Sequence, residues 1–161
     1  MEQRQNRKGF AKRFRKDQDG AVLAETLIVV PVMLVLTFGI LEFGNMLWNR
    51  MQMQVGVRDA ARYWSRCPSS FSTCSETIAR NIAFYGHPAG ASGGSLRVPG
   101  WNQASQLTIS PDAASLPIAP AASDLVSMTA TTDYQGSPAV RAIFDGTVSM
   151  TYRFETRFIG W

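Results

Sequence analysis

Beyond Trp48 the chain has no lysine, and its whole length holds one histidine and two cysteines. Each shortage excludes something. Two cysteines and a distant histidine fall short of a four-ligand zinc set. Asp112, Asp124, Asp133 and Asp145 are scattered, none at metal-ligand spacing. There is no G-x-S-x-G, no phosphate-binding glycine loop and no H-E-x-x-H. An active site needs convergent reactive groups, and His87, set before Pro88, reads as a solvated loop residue. The expectation is a non-enzyme with no metal and no cofactor. Charge placement argues against nucleic acid as a partner. After Trp48, nine arginines face seven acids, with no basic stripe. The pI near 9.4 arises mainly in residues 1–19, where Arg4, Arg7, Lys8, Lys12, Arg13, Arg15 and Lys16 stand against three acids.

That basic tail abuts a long apolar run, Ala21 to Leu41. As a helix the run would span roughly 31 Å at 1.5 Å per residue, close to the hydrocarbon thickness of a bilayer. A cleaved secretory signal has a shorter apolar core and a small-residue cleavage site beyond it. Here Phe38–Gly39–Ile40–Leu41–Glu42 offers a poor one. The reading is a retained single-pass anchor, with the basic end cytoplasmic by the positive-inside rule and the C-terminal part outside. Pro31 removes the hydrogen bond to the Leu27 carbonyl and predicts a helix kink, which membrane helices tolerate. Two acids mark the run, Glu25 near its inner end and Glu42 near its outer end. On spacing alone two readings of Glu25 stand: a residue that snorkels at the end of the span, or a functional ionisable group inside it.

The residues around the run carry a resemblance. A basic leader, Gly20, Glu25 as the fifth residue after it and then an apolar helix resemble the leader of type IV pilin-like proteins. Within that superfamily the chain is similar to the TadE-like family of minor pseudopilins of the tight-adherence pilus machinery. The resembling residues are Gly20–Ala21–Val22–Leu23–Ala24–Glu25, Pro31, Gly39–Ile40–Leu41–Glu42–Phe43–Gly44 and Val57–Arg58–Asp59–Ala60–Ala61–Arg62–Tyr63. They lie within residues 9–66; the C-terminal part agrees only in length and strand pattern. Thr26 departs from the pattern, where the family usually has an aromatic residue. The resemblance implies cleavage between Gly20 and Ala21 by a prepilin peptidase and retention of the helix in the inner membrane. It also implies a Glu25 carboxylate that meets the new N-terminal amine, within the chain or on a neighbour, and so sets the register between subunits.

Beyond the membrane the helix is expected to run to about Arg66, with Met53, Val57, Ala60, Ala61 and Trp64 on one face and Arg58, Asp59, Arg62 and Arg66 on the other. One helix from Ala21 to Arg66 would be roughly 69 Å long. Leu47, Trp48, Met51 and Val55 form a second apolar patch, and Trp48 also suits a membrane interface. Cys67 and Cys74 are expected to pair, since outside the cytoplasm they can oxidise. Thr73–Cys74–Ser75–Glu76 reads as a capping box. It opens a short helix with Ile78, Ile82 and Tyr85 on one face and Gly86 as its stop. Residues 87–123 have loop composition, with a strand hinted only at Leu107 to Ser110. Segments 124–134 and 147–158 alternate apolar and polar residues and predict two half-buried strands, paired antiparallel across a linker, 135–145, holding one helical turn near Val140 to Phe144.

The predicted organisation is α+β and pilin-like, with a long N-terminal helix, membrane half and soluble half, on a small antiparallel sheet. Residues 1–20 form the leader, 21–48 the transmembrane helix, 49–66 its extracytoplasmic continuation and 67–161 a small extracytoplasmic α/β domain. The function expected is that of a minor pseudopilin whose partners are the inner membrane, prepilin peptidase and other pilins, pseudopilins and pilus assembly components. The alternative is an unprocessed single-pass anchor whose outer domain recruits another secretion component.

Overall fold

Helix α1, Gln18–Trp64, is the longest element of the computed structural model, which describes residues 18–68, 70, 74–118, 121, 123–138, 141 and 146–159. The leader up to residue 17 lies outside these residues, as does the expected helical turn near Val140 to Phe144, Arg141 apart. After α1 come α2 (Glu76–Tyr85), two 3-10 turns (Gly90–Ser92 and Ala104–Gln106), β1 (Leu107–Ser110), β2 (Leu125–Asp133) and β3 (Ser149–Arg157). The chain divides into two units, Met1–Phe43 and Gly44–Trp161.

In the first unit α1 passes through Pro31 without losing its helical assignment. Its large apolar side chains from Val22 to Phe43 are exposed, Leu27 by 76% and Ile40 by 72%. The helix satisfies its own polar groups. Thr26 Oγ1 donates to the Val22 carbonyl at 2.7 Å, and Thr37 Oγ1 to the Met33 carbonyl at 2.8 Å. Each hydroxyl folds back on the preceding turn, which suits a medium that offers no water. Among the described residues α1 is the one helix long and apolar enough to cross a membrane.

The second unit is built on the other end of α1. Met53, Val57, Ala60, Ala61 and Trp64 are fully buried, as the helical spacing predicts. The helix ends at Trp64 rather than Arg66. Ser65 N still donates to the Ala61 carbonyl, but Arg66 N and Cys67 N turn to Tyr63 and Trp64, a tightening that closes the last turn. Pro68 then bars continuation. Cys67 and Cys74 form a disulfide with Cα atoms 5.6 Å apart, tying the helix exit to the start of α2.

The sheet runs in the order β1-β2-β3, antiparallel throughout. Its centre is Met128, which faces Ile109 on one side and Phe154 on the other. Val126, Met128 and Ala130 of β2, Leu107 and Ile109 of β1 and Met150 of β3 share one core cluster with the α1 stripe. The strand expected at Leu107 to Ser110 is present and pairs with β2.

Two details of α2 differ from expectation. Its N-cap is Ser75, whose hydroxyl accepts from Thr77 N at 3.2 Å; the expected cap, Thr73, lies outside the described residues. Its buried face is Ala79, Ala83 and Phe84, while Ile78, Ile82 and Tyr85 are half-buried. The cause is close approach. A Cβ on Gly56 of α1 would lie 2.3 Å from the Ala83 carbonyl oxygen and 3.0 Å from the Trp101 ring. Only small residues allow backbones this near, so alanines, not isoleucines, take the interior. Gly86 ends α2 as expected, at φ 72°, with its N–H on the Ile82 carbonyl.

The stretch expected to be loop also contributes core. Val98 and Trp101 are buried, and Trp101 meets Phe84 edge to face at 4.9 Å. Arg97 fixes this segment to α1 through Asp59 at 2.8 Å, and Trp64 Nε1 donates to the Pro111 carbonyl at 2.8 Å.

Candidate functional site

The residues singled out in the sequence lie along α1. Gly20 lies in the helix, two residues after the first described one. Glycine is among the poorest helix formers. A Cβ at Gly20 would meet nothing within 4 Å.

Glu25 follows Ala21 by one turn, a rise of about 6 Å. Side chains on a helix lean toward its N-terminus, so the Glu25 carboxylate leans toward the backbone at Ala21. Glu25 is exposed, in the midst of exposed Leu23, Leu27 and Ile28. Thr26, the departure from the family pattern, has its hydroxyl committed to Val22. One turn further on, Leu23, Thr26, Leu27, Val30 and Pro31 line a shallow apolar concavity. What this stretch presents is one carboxylate and an exposed apolar surface.

Elsewhere the described residues hold no cluster of three or more metal-ligating side chains. His87 is exposed, its Nδ1 accepting from Ala89 N at 3.1 Å. Cys67 and Cys74 are bonded to each other.

With this geometry in view, comparison with known families is decisive for one segment. The family model described as TadE-like protein matches residues 20–62. Over residues 20–62 the chain is similar to the TadE-like family. The match starts at Gly20 and ends two residues before α1 does. It takes in Glu25, Pro31, Gly39, Gly44 and the Val57–Arg62 stretch, so the resemblance read from the sequence holds over this helix. The apolar part of the TadE-like helix fits a single-pass membrane anchor. No curated protein and no solved structure matches the chain.

Two residues of this helix have contacts that the sequence reading did not foresee. Gly56 is the point of closest approach to α2, and Asp59 is the acid that holds Arg97. A glycine inside an otherwise well-formed helix was the available signal for the first. The second has none in a single sequence, since Asp59 and Arg97 are 38 residues apart.

Proposed function

We propose that the protein is a minor pseudopilin of a bacterial tight-adherence system. Its N-terminus starts in the cytoplasm, its apolar helix crosses the inner membrane and its disulfide-bonded domain lies outside. A prepilin peptidase cuts between Gly20 and Ala21. The new Ala21 ammonium and the Glu25 carboxylate neutralise each other, within the chain or between neighbours. Either charge alone is costly to desolvate in lipid, so pairing between chains fixes the axial register of helices as subunits join or prime a pilus. The role is non-enzymatic and works through helix packing.

The observation that carries this reading is the match of residues 20–62 to the TadE-like family. The basic tail supports the orientation, and the disulfide supports an oxidising compartment for the domain. The test is complementation. A strain lacking the protein should lose surface pili and recover them with the wild-type chain. A chain blocked at Gly20 by bulky substitution, and still membrane-inserted, should not restore them. Full piliation without the protein would contradict the proposal.

A further inference from the structure

A groove opens in the second unit near the point where the chain enters it. Met46, Leu47 and Arg50 of α1 form one wall, and the start of β3, with Val148, Ser149 and Thr151, forms the other. Its volume is about 250 Å³, just under the usual range for sites that enclose a small molecule. Leu47, Arg50, Val148, Ser149 and Thr151 are all exposed, so the groove is open to its surroundings. It suits one end of a larger molecule. Its chemistry is mixed. Leu47 and Val148 present apolar surface, exposed by 42% and 50%. Arg50 is the one ionised lining residue; no acid lines the groove, and among the described residues Arg50 has no ion pair. An exposed arginine is ordinarily met by water alone; here it stands against an apolar wall.

From this we infer that the groove holds the headgroup of an anionic glycerophospholipid, with the phosphate on Arg50 and the first acyl carbons against Leu47 and Val148. The inference rests on the membrane-anchoring part of the proposed function. On that reading the second unit starts at Gly44, directly after the apolar run, so its entry end lies next to the leaflet. From Gly44 to Arg50 the rise along α1 is about 9 Å. Side chains on a helix lean toward its N-terminus, and an arginine can lay its stem along apolar surface while its charged end meets polar groups. Both effects carry the Arg50 guanidinium back toward the headgroups. Trp48 suits the same layer. A guanidinium matches a phosphate with two parallel hydrogen bonds. Ser149 and Thr151 bring hydroxyl donors to the strand wall. As an outer strand of the sheet, β3 also turns alternate backbone N–H groups away from β2. Charge selects the headgroup. With no acid in the groove, a net negative headgroup is attracted, whereas the ammonium of a zwitterionic one is repelled. An acidic peptide would need several cations in a row, and the groove has one. A shallow site suffices, because a leaflet beside the groove supplies the lipid at high local concentration.

The test uses the full chain in nanodiscs of phosphatidylcholine containing a small fraction of phosphatidylglycerol that carries a photoreactive diazirine near its glycerol. After illumination, fragment mass spectrometry locates the adducts. Adducts within residues 21–43 report insertion of the span, and adducts on Met46, Leu47 or Val148 report the groove. Arg50→Gln should lower the groove adducts roughly tenfold or more, the loss of one hydrogen bond to a charged group, and leave the span adducts unchanged. Arg50→Lys should keep more of them than Arg50→Gln, and Val148→Asp should remove them by repelling the phosphate. Excess unlabelled phosphatidylglycerol should compete, and excess phosphatidylcholine should not. Mass analysis of the Cys67–Cys74 bond reports the folded domain in each variant. A labelled span with an unlabelled groove, groove adducts indifferent to Arg50→Gln and Val148→Asp, or equal competition by the two lipids overturns the inference alone. Removal of the groove adducts by inorganic phosphate also overturns it and names free phosphate as the ligand. In bacterial membranes, a groove shielded from the lipid probe by another protein overturns it and names a protein as the occupant. A span without adducts overturns both this inference and the anchored reading.

Discussion

On the proposed cleavage after Gly20, Glu25 would stand one helical turn from the new Ala21 amine, and the two charges would neutralise each other. Replacing Glu25 by Gln keeps its size and removes its charge. Association between processed subunits in the membrane should then weaken by about 1.5–3 kcal/mol, the range for hydrogen bonds to charged groups. Quantitative cross-linking of wild-type and Glu25→Gln chains checks this, and unchanged association would sink the pairing role. Gly56 is a residue of a different kind, since it acts by having no side chain. Gly56→Ala gains helix propensity, at most about 1 kcal/mol, but drives a methyl group to 2.3 Å from the Ala83 carbonyl oxygen. Overpacking of that kind costs about 1–3 kcal/mol, so the net change should be destabilising. Thermal melts of the detergent-solubilised chain decide it, and an unchanged or raised Tm would contradict the close approach.

At the scale of elements, what was legible depended on range. The α1 stripe and the strands repeat every three to four or every two residues, so a single sequence displays them. The buried Met53–Trp64 stripe and the pairing of β2 with β3 followed from that pattern. So did the disulfide and the Gly86 stop, which rest on neighbours in the chain. What stayed hidden depends on contacts across the fold. The buried face of α2 is set by Gly56, and the burial of Val98 and Trp101 is set by α1 and α2; loop composition masked the second. The candidate site was legible because its residues are spaced along one helix, although periodicity alone left the role of Glu25 open.

Two tests belong to elements. The Cys67–Cys74 loop is short, with a sequence separation of 7, and chain entropy assigns its closure about 2–3 kcal/mol. Cys67→Ser with Cys74→Ser should lower stability by that amount in denaturant titration, and no change would show that the helix exit needs no tether. The turn after β1 offers a pH test. Asp112 accepts hydrogen bonds from Ser115 Oγ at 2.5 Å and Ser115 N at 2.8 Å. The Ser115 hydroxyl is the main cause holding its carboxyl below the ordinary range. A lowered value means that the bonds stabilise the fold above the unfolded-state pKa and that this is lost as pH falls through the folded-state value. The stability difference between wild type and Asp112→Asn should therefore shrink on acidification, and a difference independent of pH would remove Asp112 from the turn's support.

At the scale of the molecule, one helix serves two units. Its first part is apolar on all sides, and its second part is apolar toward a sheet. The TadE-like match covers residues 20–62 of that helix. The central claim is that the helix begins its working life at Ala21. The most direct measurement is the intact mass of the membrane-extracted chain, expressed with and without an active prepilin peptidase. The account predicts loss of residues 1–20 only when the peptidase is present. A full-length mass beside a peptidase that cuts a control substrate would contradict it, and would leave a single-pass anchored domain whose Glu25 meets no new amine.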